Sequence, residues 1–540
     1  MSTTIKVCDV KSFSDDPDTD KREMDVDEAL EMGGPCGKFQ LLTQVAFMYL
    51  VLTIGYQVVF TYFIASDPPW RCVANNNTTN NTTGSSFCKI HTNEVMHSDS
   101  EWFYERCQLD RGEWEYTTSK DYSFVTEYDL VCEKASTAAF ASSMFYIGGL
   151  IGSLISGITA DTYGRKVVLV TSLSVTIAMS VVCSYTAGVW QLTVARGFLG
   201  AAQMTCYSIA FIILSEFIAP SYRTISANMF QLNLCLSQLL CDFTAYFERD
   251  WRDLQIYAAI PSCLALIAFI ALPESPRWLF SVNRKTEAEK SLERIARING
   301  NPMVVRLKSP LVTSKKMYTY IDLFRSWKLT FLTLSQCTIW TTVALVYYAI
   351  ALESSNLGGN MYQAFALAAL ADLPSNFAAF WACNYLGRKR AVLGSLFICG
   401  LFIGGTTLVP HHHSYTYIVN ISLVMISKFM IDLAFNGIFI WTFELYPTCL
   451  RSQGWAVCVV FERIGALVVP FLTTVLQSIN PKLPFIIMGC VSGIASIGGL
   501  ILPETNKQAT RETYEDFYKE KTPSDTNSFT NSVALEDETV

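Results

Sequence analysis

Long apolar runs, each closed by a cluster of charges or of Gly and Pro, follow one another along most of this chain. A membrane helix needs about 20 apolar residues, at about 1.5 Å per residue, to cross a hydrocarbon core of about 30 Å. Twelve stretches reach that length: 41–63, 137–160, 166–186, 189–215, 224–247, 254–272, 329–351, 361–385, 389–409, 416–443, 453–477 and 482–502. The pattern predicts an all-α membrane protein with twelve transmembrane helices. What stays polar is a tail over 1–40, a long loop over 64–136, a second over 273–328 and a tail over 503–540.

Composition agrees with that reading, because 51% hydrophobic, 13% aromatic and only 16% charged residues do not describe a water-soluble domain. Residues 1–40 hold ten acidic and five basic residues and no apolar signal core, so the N-terminus is expected to stay cytoplasmic. Basic residues of short loops collect on the cytoplasmic side. From an inside start, the inner loops carry Arg165 and Lys166, Arg223, twelve basic residues between 273 and 328, Arg388 to Arg390, and Arg451. The outer loop 64–136 holds six basic against twelve acidic residues, so both counts place both termini inside. The net charge of −7 is spread over tails and loops, which points to solvated ends and not to a nucleic-acid partner.

That outer loop carries Cys72, Cys88, Cys107 and Cys132, an even number on the oxidising side, which reads as two disulfides with three possible pairings. It also carries "NNNTTNNTTG", whose overlapping sequons make Asn76, Asn77, Asn80 and Asn81 potential glycan acceptors, although adjacent acceptors exclude full occupancy. Together they imply passage through the secretory pathway to the plasma membrane. The remaining cysteines suit buried apolar positions better than a metal site, and His411 to His413 suit a solvated turn; no metal or cofactor is expected. A coupling ion, Na+ or H+, is left open.

The two halves then prove to use the same words in the same order. "ADTYGRK" ends the second helix and "NYLGRKR" the eighth, with Gly164 and Gly387 separated by 223 residues. "SEFIAPSYR" and "FELYPTCLR" place Glu216 and Glu444, and Arg223 and Arg451, 228 residues apart. "LPESPR" and "LPETNK" are offset by 230. The chain is therefore two six-helix halves in parallel repeat, 41–272 with its outer loop and 329–502, joined by a cytoplasmic linker over 273–328. Two halves rocking about a central site are what a transporter needs. Gly164 and Gly387, each followed by basic residues (Arg165, Arg388), suit tight cytoplasmic turns. Asp161, and Glu216 with Arg223, can make inner-face ion pairs that break and reform; Glu444 and Arg451 repeat the arrangement.

"GITADTYGRK", "RGFLG", "LPESPRWL", "FELYPTCLR" and "VTEYDLVC" resemble the organic cation, anion and zwitterion transporter family of the major facilitator superfamily. The resemblance covers residues 40 to 510. "PESPRWL" and the Gly-Arg loops would also suit sugar porters; the cysteine-bearing outer loop and "ELYPT" separate the two. It implies a twelve-helix fold and facilitated or ion-coupled movement of small organic ions. Two positions depart from the family pattern: Thr162 stands where its first inner loop has an arginine, and Asn384 where many members have an acid.

Ionisable residues deep in a span must face protein or water, because each costs roughly 2.5 to 3.5 kcal/mol at mid-bilayer. Arg463, Asp372, Lys428 and Asp432 are the deep charges, all in the C-terminal half. Lys428 and Asp432, spaced i, i+4, share a helix face and suit an internal ion pair. Glu462 and Arg463 are neighbours about 100° apart, so Arg463 is expected to find its partner on another helix or in the substrate. Aromatic faces accompany these charges: Trp340, Tyr347, Tyr348, Phe435, Phe439 and Trp441. In the family that the chain resembles, simple-cation members carry an aspartate where Arg463 stands and anion and carnitine-type members an arginine; Lys428 matches a lysine of the anion and carnitine-type branches, Tyr347 and Tyr348 match a tyrosine pair, and Asn376 stands where anion members often have a further lysine. The pattern lies nearest the zwitterion branch. The four deep charges sum to zero, or to −1 if Glu462 lines the path.

Polyspecific transport of organic cations and zwitterions, carnitine-like compounds included, is thus the expected function. An organic anion exchanger and a nontransporting receptor or scaffold are its alternatives, and no group of residues supports an enzyme. The C-terminal "DETV" suggests strand addition to a PDZ-type partner, a weak match because Glu538 holds the third-last position.

Overall fold

The computed structural model describes residues 23–73, 86–91, 94–97, 102–308, 320–353, 361–409, 416–447, 450–480 and 482–506. Twelve long helices dominate: α1 (Lys38–Ile64), α2 (Ala135–Tyr163), α3 (Arg165–Ser184), α4 (Val189–Phe217), α5 (Pro220–Phe247), α6 (Trp251–Ala271), α7 (Trp327–Glu353), α8 (Met361–Tyr385), α9 (Arg388–Gly405), α10 (Thr416–Leu445), α11 (Arg451–Ile479) and α12 (Leu483–Gly499). Ten are long and apolar enough to cross a membrane by length and composition. The other two are α5, which is more polar, and α12, which at 17 residues is short.

Helix pairing follows the repeat. α1 packs along α5 as α7 packs along α11; α2 meets α4 as α8 meets α10; α3 meets α6 as α9 meets α12. Two pairs cross between the halves, α2 with α11 and α5 with α8, and each is the image of the other when the halves are exchanged. Glycine permits the tightest of these approaches: a Cβ on Gly148 would sit 1.9 Å from the Gly197 carbonyl oxygen, and one on Gly200 would sit 2.0 Å from that of Phe145. The glycines of "RGFLG" thus serve backbone contact between α2 and α4.

The outer loop is a small folded unit, not a polar spacer. Trp70–Cys72, Val95–Met96 and Trp114–Tyr116 form an antiparallel sheet with Trp70–Cys72 in the centre. Cys72 joins Cys88 and Cys107 joins Cys132, one of the three pairings the count allowed. Trp70 is fully buried, and its indole donates to the Phe103 carbonyl at 2.8 Å. "VTEYDLVC" anchors the unit: Glu127 pairs with Arg252 of α6 at 2.6 Å, and the Tyr128 hydroxyl donates to the Thr186 carbonyl. Asn76, Asn77, Asn80 and Asn81 lie outside the described residues.

At the inner face the linker begins with two helices, Pro276–Ser281 and Lys285–Asn299, and a short helix of the N-terminal tail, Val26–Met32, packs against the second. Asn299 joins linker, tail and α1: its side chain accepts from the Phe39 amide and donates to the Gly33 and Gly34 carbonyls and to Gln40. Gly37 makes room for it, since a Cβ there would fall 2.1 Å from the Asn299 side chain.

Candidate functional site

The deep charges meet where α7, α8, α10 and α11 face the N-terminal half. Lys428 Nζ lies 3.2 Å from Asp372 Oδ2, with both side chains almost wholly buried. Its expected i, i+4 partner, Asp432, accepts instead from the Asn436 amide at 3.1 Å. The i, i+4 expectation fails because Lys428 has a closer carboxylate across the α8–α10 contact, and a long flexible stem follows the stronger field. The ammonium also stands 3.3 Å from the centre of the Tyr347 ring, over its electron-rich face. The Tyr347 hydroxyl donates to Asp372 at 3.2 Å and accepts from Gln238 of α5, so the cluster reaches across to the other half.

Arg463 corrects a second expectation. Its Nη1 lies 3.1 Å from Glu462 Oε1, so the neighbour in sequence is its partner. Backbone directions about 100° apart set the Cβ positions only; two long side chains bend toward each other where no other countercharge is near. Tyr348 stands beside this pair and faces Tyr146 of α2 with ring centres 6.0 Å apart. Of the remaining aromatics, Tyr347 meets Phe435 at 5.2 Å and Trp340 meets Phe439 at 4.9 Å. Trp441 lies nearer the inner end and donates to the Pro503 carbonyl.

Two buried charges in the long helices of the N-terminal half escaped the reading of depth. Arg196, the arginine of "RGFLG", is 2% exposed and donates to the Thr61 hydroxyl, with no carboxylate partner among the described residues. Asp242 of α5 is 8% exposed. Both lie five to seven residues inside the ends of their helices, where a charge resembles interface anchoring. A solitary ionisable residue within an otherwise apolar run was the available signal.

The inner turns are built alike. Gly164 and Gly387 have φ of +105° and +97°, a region open to Gly. Each leads into a helix whose first amides meet a carboxylate from the end of the same half: Lys166 donates to Glu274 at 3.0 Å and Lys389 to Glu504 at 3.3 Å. Glu274 and Glu504 are the acids of "LPES" and "LPET", and the offset of 230 was the clue to their shared role. Arg165 pairs with Asp161 at 2.5 Å and with Glu216 at 3.4 Å. Arg388 pairs with Glu444 at 3.0 Å. The arginines of the Gly-Arg turns therefore take the acids expected to meet Arg223 and Arg451. Arg451 keeps two buried nitrogens without a hydrogen bond among the described residues, and the side chain of Arg223 lies outside them. Thr162, at the departure from the family pattern, bonds back to the Ile158 carbonyl, and the Asn384 carbonyl accepts from Asn506.

At the outer ends the halves are in contact. Phe63 of α1 packs on Tyr362 and Phe365 of α8, with ring centres 5.8 and 4.7 Å apart, and Arg249, just past the end of α5, donates to the Tyr362 hydroxyl at 2.6 Å. Beside this seal, a crevice of about 90 Å³ runs under the disulfide unit, lined by Thr61, Asp67, Tyr104, Arg106, Thr473 and Gln477 among others. Asp67 and Arg106 pair across it, and burial pushes the Tyr104 hydroxyl up.

A fold of two six-helix halves with facing charges and rings at its centre defines a membrane transporter. Residues 75–517 match the sequence profile of the family described as Sugar (and other) transporter. Solute carrier family 22 member 21 of Mus musculus is 31% identical, with 76% of this chain and 74% of that protein covered. Solute carrier family 22 member 15-like of Xenopus laevis is 34% identical over 73% of this chain and 81% of its own length. Organic cation/carnitine transporter 2 of Homo sapiens is 28% identical over 93% and 96%. The inward open conformation of the xylose transporter XylE from E. coli superposes with a TM-score of 0.60 at 15% identity, covering 89% of this chain and all of that one. The chain belongs to the Sugar (and other) transporter family of the major facilitator superfamily, within its solute carrier family 22 branch. It is a multi-pass membrane transporter of small organic substrates and not an enzyme.

Proposed function

We propose that the protein moves small organic cations and zwitterions, carnitine-like compounds among them, across the plasma membrane by alternating access. The observation that carries this reading is the pairing of charges at the centre. Lys428 is matched by Asp372 and Arg463 by Glu462, while Asp432 has no cation within ion-pair distance among the described residues. With Glu462 counted, the five central charges leave one negative charge in excess, which favours a substrate bearing an ammonium. The faces of Tyr347, Tyr348 and Phe435 offer apolar contact and cation–π attraction without demanding one shape. The name of organic cation/carnitine transporter 2, a relative over nearly the whole chain, points the same way.

The joined outer ends, set against inner ion pairs that each lie within one half, suit a molecule closed outside and free to part inside. In this reading the turns at Gly164 and Gly387, with Arg165, Glu216, Arg388 and Glu444, hold each inner end together as the halves rock. Basic inner loops and the disulfide unit outside support cytoplasmic termini. The test is uptake of labelled tetraethylammonium, carnitine and para-aminohippurate into expressing cells at a verified surface level, with sodium and pH varied. Tetraethylammonium and carnitine should accumulate. Uptake of para-aminohippurate alone would favour the anion-exchange reading, and uptake of none would remove the transport assignment to these classes.

A further inference from the structure

Asp242 is a buried carboxylate that the central cluster does not use. Its Oδ1 is sealed from solvent and has no hydrogen-bond partner, and no cation lies within ion-pair distance among the described residues. A buried charge left so is costly unless something else neutralises it.

Its direction follows from its own helix. Cys235 lies against Asn376, Gln238 donates to Tyr347 and Tyr246 packs on Tyr362, so three residues of α5 touch the opposite half. At about 100° per residue these three lie within an arc of about 80°, and residue 242 falls at its centre. Asp242 therefore faces the interface between the halves. The antiparallel register of α5 and α8 says what stands across from it. Contacts at 235 with 376 and at 246 with 362 place residue 242 opposite the Ala-Leu-Ala-Ala stretch 366–369, which offers no polar side chain. Asp372 lies three to six residues further in along α8, about 4.5 to 9 Å along the axis.

We infer that Asp242 is a cation-accepting station of the N-terminal half, one to two turns outward of the Asp372 cluster, which takes a monovalent cationic group as it passes between α5 and α8. The inference rests on the transport reading for its role in passage, and the cationic group is either the substrate's ammonium or a coupling Na+. The N-terminal half then adds Asp242 to a path whose C-terminal wall already carries Asp372 and Asp432. The arrangement lets a cation be handed from one half to the other without facing the bilayer.

Purified full-length protein in detergent provides a test independent of uptake. Tetraethylammonium chloride should raise its Tm if the substrate ammonium is the ligand, and sodium chloride at equal ionic strength should do so if a coupling ion is. Asp242→Asn should abolish that rise and Asp242→Glu should keep it. In cells, Asp242→Asn should raise the KM for tetraethylammonium, or for Na+, by about tenfold, the factor that corresponds to one lost charged contact. The amide is isosteric, so folding is expected to survive. A Tm rise that depends on Asp242 in a protein that transports none of the probes would leave the site standing and remove only the transport reading. The inference is overturned if neither cation shifts the wild-type Tm, or if Asp242→Asn responds as wild type in both Tm and uptake.

Discussion

At their inner ends the two halves bend by one device, and at their centres they part company. α2–α3 and α8–α9 both turn on a glycine of positive φ, both seat a carboxylate on the next helix's first amides, and both close with an arginine-to-glutamate pair. In the middle of the bundle the C-terminal half carries two ion pairs and an extra carboxylate. The N-terminal half carries Arg196 and Asp242, neither ion-paired among the described residues. Shared inner ends suit a shared motion, whereas unlike centres suit a site where one half grips and the other completes the path.

The sharpest way to break this contrast is to remove one member of a buried pair on one side and a solitary charge on the other. Asp372→Asn leaves Lys428 buried without its carboxylate and should cost about 3–5 kcal/mol. The double change Asp372→Asn with Lys428→Met should recover most of that loss, read as surface abundance and Tm. Arg196→Met removes a cation that has no carboxylate to abandon, so the same measurements should move by less than about 1 kcal/mol. An Arg196 variant as damaged as Asp372→Asn would mean that the N-terminal half holds a hidden partner.

A smaller effect tests the shared inner ends. Gly164→Ala and Gly387→Ala each force a Cβ into an unfavourable backbone conformation and against the Glu274 or Glu504 carboxylate, at 2.7 and 2.6 Å. Each should cost about 1–3 kcal/mol, and the two should match within error by Tm. Smaller still, Glu274→Gln and Glu504→Gln should each lower stability by about 1 kcal/mol through loss of a charged helix cap. Glu274 should be the larger, since its bond to the following helix is the shorter. A large difference between the glycines would show that the two turns do not carry equal load.

Most of the fold could be read from the chain because membrane crossing leaves a one-dimensional record: apolar length, basic inner loops and repeated words at steady offsets. The α5 stretch was legible by length although it is the more polar of the spans, since apolar faces of a bundled helix need cover only part of its circumference. The central charges were legible by depth for Asp372, Lys428, Asp432 and Arg463. Their partners were not. Spacing along one helix fixes Cβ directions but not where a four-carbon stem or a guanidinium will reach, so Lys428 went to Asp372 and Arg463 to Glu462. Asp242 and Arg196 were missed for a related reason: depth counted along the chain does not say which wall of the bundle a residue faces.

Asn299 shows that chain order and bonding order need not coincide. The Phe39 amide at the foot of α1 is satisfied by a side chain 260 residues later in the sequence. During synthesis from the N-terminus, α1 therefore lacks this bond until all six helices of its half and the second linker helix have been made. The linker is thus the closing piece of the first half before it is a bridge to the second.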